Sequence, residues 1–226
     1  MASISQDLPT TKPALSTKQA ASREKTLLIA FLLSVWAPLT TGLAVLMSQS
    51  TTQVADFIRR TVELVALFVS WQVFRYVEGG RKPRLLESET KARVEKIASL
   101  SVAAALGCSG LIMLALSLSR LSSFQPGGNV SLGLTIAVLG LITNSWFWQR
   151  YRRMTREHFN PVIASQVSLY RAKAFVDLTV ILALSSVAIS PAHPLTRYID
   201  LFGSLAVALY LLWSSRRTFR SANAPA

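Results

Sequence analysis

One cysteine, Cys108, stands in 226 residues, so no intrachain disulfide can form and no thiolate metal cluster can be built. Set within an apolar segment, it reads as a small packing residue. There are two histidines, His158 and His193. They are far apart in sequence and fall in loops expected on opposite faces of a membrane, which excludes them as a ligand pair. Charge is scarce: 15% of residues carry it, against roughly 25% in soluble domains. Nucleophile elbow, phosphate-cradling loop and metal-ligand spacing are all missing, so no enzymatic activity is expected. No internal repeat, no soluble domain and no signal-peptide pattern can be recognised.

Apolar residues make up 51% of the chain, and they are gathered into runs near the ~20 residues that span a bilayer. Six segments qualify: Leu27 to Met47, Val54 to Tyr76, Ile97 to Leu118, Val130 to Trp148, Ala172 to Ile189 and Tyr198 to Trp213. Pro38 lies inside the first, a placement that neighbouring helices tolerate in lipid. The third is rich in Ala, Ser and Gly, which lets helices approach closely. The fourth ends in Trp146, Phe147 and Trp148, an aromatic cluster suited to the interface, and Pro191 stops the fifth. The expectation is an all-α membrane protein, a six-helix transmembrane bundle over 26–215. It is flanked by a disordered cytoplasmic tail over 1–25, rich in Ser and Thr with Pro9 and Pro13, and by a short cytoplasmic tail over 216–226.

The formal net charge is +13, from 24 Lys and Arg against 11 Asp and Glu. In a soluble protein that balance would point to nucleic acid; here the basic residues follow the loops. Lys12, Lys18, Arg23 and Lys25 precede the first segment. Arg75, Arg81, Lys82, Arg84, Lys91, Arg93 and Lys96 join the second to the third. Arg150, Arg152, Arg153, Arg156, Arg171 and Lys173 join the fourth to the fifth, and Arg216, Arg217 and Arg220 follow the sixth. With six alternating helices all of these share one side, leaving Arg120 and Arg197 on the other. Cytoplasmic loops collect Lys and Arg, so both termini are expected inside. The short outer loops, with a Pro-Gly-Gly turn at 126–128, suit a bacterial inner membrane. The only partners expected are the lipid bilayer and a weak homodimer formed through membrane helices; no nucleic acid is expected.

Ionisable residues inside a span are costly and therefore functional candidates. The second segment carries Arg59 and Glu63 four residues apart, hence on one face, with Asp56 nearer its outer end and Arg60 turned elsewhere to snorkel. The fifth begins with Lys173 and Asp177, again four apart. Two arrangements are open. Arg59 and Glu63 can pair with each other while Lys173 sits at the interface. Alternatively the two antiparallel faces meet, Arg59 against Asp177 and Glu63 against Lys173, as a neutral cluster.

Several stretches carry a resemblance. The run AVLMSQSTTQVADFIRRTVELVA is similar to AGxxSGSxALLADxxHSxxDxxx, with Ser48, Ser50, Ala55 and Asp56 on matching positions. Arg93-Val94-Glu95 resembles an RxE after a basic loop. GLITN, ending at Asn144, is similar to GLxxN, and Tyr170-Arg171-Ala172 to LRA. IDLFGSLAVALYLLWSS, with Asp200, is similar to DPxxxLxVALxIxxxg. Together, and in this order, they resemble the transmembrane domain of the cation diffusion facilitator (cation efflux) family, which exports zinc and related divalent metals in exchange for protons. The resemblance implies a metal site of two ligands on the second helix and two on the fifth, falling here on Arg59, Glu63, Val176 and Val180. Of these only Glu63 can bind a metal; Asp177 is displaced by one residue from a ligand position, and Lys173 stands where an acid is usual. Zinc needs about four N, O or S ligands, so the site is degenerate, with Glu63 and Asp177 as the remaining metal candidates. The family's sizeable cytoplasmic domain and the His-rich loop of some members are expected to be absent, since only a short tail follows Ser214.

Two functions follow as expectations. The first is a divergent transporter moving a divalent cation, zinc or another, against protons by alternating access, with Glu63, Asp177 and Asp56 carrying the ion or proton. The second is a non-transporting membrane partner or assembly protein on the same fold, its metal site replaced by intramembrane ion pairs. No cofactor is expected beyond the transported cation.

Overall fold

A computed structural model describes residues 17–48, 51–78, 88–122, 130–189 and 194–223. The chain is six α-helices: α1 Thr17–Ser48, α2 Thr51–Val77, α3 Ser88–Ser122, α4 Val130–Glu157, α5 Pro161–Ile189 and α6 Pro194–Asn223. α1 packs along α2, α4 along α5 and α3 along α6, while α5 also touches α2, α3 and α6. It is therefore the helix through which most of the others are joined.

The interior is built from small residues and a few rings. Ala30, Ala98, Ala105, Ala172 and Ala208 are fully buried, around Phe147, Tyr151 and Tyr170, whose rings pack 5.0–6.0 Å apart. Large apolar side chains face outward from every helix, among them Leu32 and Trp36 on α1, Phe68 on α2, Leu111 on α3, Leu139 and Ile142 on α4, Leu182 on α5 and Phe202 and Trp213 on α6. Such an exterior is hostile to water and matched to hydrocarbon. By length and apolar composition alone, one helix among the described residues, Glu89–Ser119, is long and apolar enough to cross a membrane. α2 and α5 carry their charges within their lengths.

α3 and α6 approach closely because glycines line the seam. A Cβ on Gly107 would stand 2.9 Å from Ser215 Oγ, and one on Gly110 would stand 2.9 Å from Leu212 Cγ and 3.1 Å from the Leu212 backbone nitrogen. Ser215 Oγ donates to the Ala103 carbonyl across the same seam at 2.7 Å.

The helices are longer than the apolar runs, and they lengthen at the basic end. α1 begins at Thr17, so the tail expected over 1–25 is helical from that residue on; the TKQAASREK stretch is rich in good helix formers, and residues 1–16 lie outside the described part. α6 runs on to Asn223, so most of the tail expected over 216–226 is also helix. α3 starts at Ser88 and α5 at Pro161, ahead of Ile97 and Ala172, and α4 continues to Glu157 past Trp148. The start of α5 is fixed by Asn160, whose Oδ1 accepts the Val162 and Ile163 N–H groups at 2.9 and 3.2 Å, with Pro161 at the first helical position.

Candidate functional site

Two polar stripes face each other across the bundle. On α2, Arg59, Glu63 and Ser70 recur at helical spacing; on α5, Gln166, Tyr170, Lys173 and Asp177 do so. Lys173 Nζ lies 3.2 Å from Glu63 Oε2, and Gln166 Nε2 donates to Ser70 Oγ at 2.7 Å. From the first contact to the second, α2 advances as far as α5 retreats, which is an antiparallel register. Continued in the other direction it sets Arg59 at the level of Asp177.

Glu63 sits where three helices converge. The Lys173 ammonium of α5 holds Oε2, and Ser109 Oγ of α3 donates to Oε1 at 3.2 Å. The Glu63 and Lys173 side chains keep only 13% and 16% of their exposure, so the pair is partly desolvated and its attraction exceeds that of a surface pair. Lys173 Nζ also lies 5.3 Å from the centre of the buried Tyr170 ring, a cation–π contact that adds to its anchorage.

Asp177 is met chiefly from α4. Asn144 Nδ2 donates to its Oδ2 at 2.6 Å. Gly140, one turn earlier, makes room: a Cβ there would stand 3.0 Å from Oδ2 and 3.2 Å from Cγ. Arg59 is half-buried, and its charge acts on both the Glu63 and the Asp177 carboxylates. Arg60 is half-buried as well, and its charge acts on Glu63. Asp56 lies on α2 with its side chain outside the described residues. Of the two expected arrangements, the Lys173 contact on Glu63 is the one drawn for two faces that meet.

The chemistry of this site is that of one carboxylate with an internal counter-ion. Among the described residues no three His, Cys, Asp or Glu side chains gather to hold a metal. Val176 is buried in the core and Val180 is 36% exposed, and neither offers a donor atom.

A second polar layer lies toward the basic end. Arg23, 2% exposed, reaches from α1 to the C-terminus of α4, where its guanidinium donates to the Met154 carbonyl at 2.6 Å and to the His158 carbonyl at 3.1 Å. Burial pulls the Arg23 pKa below its ordinary value, while the Glu78 and Glu157 carboxylates act to keep it charged. Asn160 Nδ2 donates to Glu78 Oε1 at 3.0 Å, and Lys91 Nζ stands 3.8 Å from the same oxygen.

Sequence reasoning singled out the four charged positions and Asn144 as a motif residue, but not Ser109, Gln166, Ser70 or the reach of Arg23. Ser70 and Gln166 each lie seven residues from a charged site residue, so a search for polar residues in register along the two faces would have found them.

The sequence model described as the cation efflux transmembrane domain matches residues 27–223. No curated protein matches the chain.

Proposed function

The chain belongs to the cation efflux family, whose members are integral membrane proteins, and on that premise we propose that it is a cation transporter working through a single buried carboxylate, Glu63, with Lys173 as its resting counter-ion. The observation that carries this reading is the 3.2 Å contact between Lys173 on α5 and Glu63 on α2. A cation or proton arriving at Glu63 displaces the ammonium, and its departure lets the ammonium return. Alternating access then amounts to breaking and remaking this contact as α2 and α5 shift. A divalent metal finds fewer than four ligands here, so zinc is held weakly, and protons are the natural counter-substrate. Asp177, held by Asn144 and at the level of Arg59, completes the polar site. The basic ends of the helices face the cytoplasm, in a bacterial plasma membrane, and copies associate only weakly through their apolar faces.

The test is flux in proteoliposomes of purified protein, with zinc, manganese or sodium gradients and an internal pH dye. Cation movement coupled to pH change, abolished by Glu63→Gln, is the expected result. No flux above empty liposomes for any of these would overturn the reading. A second reading, a non-transporting membrane partner, is favoured by one feature: both Glu63 oxygens are already engaged, by Ser109 and Lys173. It predicts no flux even when Lys173→Met frees the carboxylate.

A further inference from the structure

Among the described residues, a set of hydrogen bonds ties the α1–α2 pair to the α4–α5 pair at the basic end. Arg23 of α1 donates to the Met154 and His158 carbonyls at the end of α4. Arg150 of α4 donates to Ser22 Oγ of α1 at 3.2 Å, and the Tyr151 hydroxyl donates to the Thr26 carbonyl at 3.4 Å. Asn160, at the start of α5, donates to Glu78 at the end of α2, and Gln166 donates to Ser70. Every one of these lies between Glu63 and the basic helix ends. They overlie close packing: α1 lies along α2 and α4 along α5, and Leu27 and Ala30 of α1 and Leu67 and Phe74 of α2 share one buried cluster with Phe147 and Tyr151 of α4 and Tyr170 of α5.

We infer that the basic end of the path between these helix pairs is held shut by a side-chain latch centred on Arg23, and that releasing the latch exposes Glu63 to that side. This rests on the proposed route through Glu63. The physical basis is the kind of bond used. A guanidinium lodged at a helix C-terminus complements the partial negative charge of the last carbonyls. Yet taking a charge out of water offsets much of that gain, so the contact fixes a position without adding a large barrier to leaving it. The buried apolar cluster beneath it can part only as a unit, since interiors do not deform continuously, and the latch keeps that unit in register. The extension of α1 beyond its apolar run gives this contact its reach: without residues 17–26 in helical form, no α1 side chain meets α4 at its end.

Accessibility tests the latch without requiring transport, so a chain that carries no cation can still pass or fail. In a Cys108→Ser background, Ala66→Cys places a thiol one turn from Glu63, at a position 1% exposed. Membrane-impermeant maleimide is then applied to vesicles from the basic side and, separately, from the other. With Arg23 present, labelling from the basic side should be slow. Arg23→Gln should raise that rate at least tenfold, leave the rate from the other side unchanged, and be partly restored by Arg23→Lys. Asn160→Ser keeps an oxygen for the α5 cap but loses the amide Nδ2 that reaches Glu78, so it should raise the rate more modestly and serves as the decisive variant should Arg23→Gln fail to fold. Unchanged labelling in the folded variants, or an equal rise from both sides, would overturn the latch.

Discussion

At the scale of single residues, the Glu63–Lys173 pair is the contact whose energetics are most open to measurement. Both groups are largely withdrawn from solvent, so the intact pair contributes little net stability, while removing one partner strands the other. Lys173→Met is expected to lower stability by roughly 3–5 kcal/mol, the range for breaking a buried pair. Lys173→Met combined with Glu63→Gln should recover most of that loss, as thermal unfolding in detergent would read out. A double variant no more stable than the single one would mean that Lys173 acts on the fold by packing on Tyr170 and not through Glu63. The charged partners were legible in the sequence because an ion in a span is costly and must be answered; four-residue spacing on two helices then supplied the register. Ser109 and Gly140 were not legible. A neutral hydroxyl or a glycine in a span raises no comparable demand, and what each does for a carboxylate depends on which helix lies opposite, which spacing within one helix cannot tell.

At the scale of helices, the six apolar runs located the elements but not their ends. Hydropathy reports where a helix crosses lipid, and it is silent where a helix continues into water on good helix formers, as α1 does from Thr17, or starts beneath a cap, as α5 does at Asn160. The small residues of α3 announced a close approach, yet nothing in α3 named α6 as the partner. The seam itself is demanding. At Gly110 a methyl group would meet both the Leu212 side chain and its backbone nitrogen, and backbone cannot rotate away as a side chain does. Gly110→Ala should therefore push α3 from α6 and cost roughly 1–3 kcal/mol, the usual penalty for overpacking a filled core. Thermal unfolding should show this, with Leu212→Ala in the same chain relieving part of it. A Gly110→Ala protein as stable as the parent would show that the α3–α6 seam has slack.

At the scale of the whole molecule, the helices overrun their apolar stretches at one face. α1 and α3 extend at their N-termini, and α4 and α6 at their C-termini. In a bundle of six helices that alternate in direction, these ends share one face, and the Arg and Lys residues of the loops share it too. Basic groups are retained on the cytoplasmic side during insertion, so the proposed orientation puts these helix extensions on the cytoplasmic face. On the other face the helices are joined through 49–50, 123–129 and 190–193, which lie outside the described residues. Reporter fusions should thus read outside at residue 125 and inside at residues 160 and 224. The fusion at 160 is the most informative of the three, because Asn160 lies between helices that the latch ties to α1 and α2. An outside reading there would place Arg23, the Glu78 contact and the full basic collar on the far side of the membrane, and would reverse the direction in which Glu63 is reached when the latch opens.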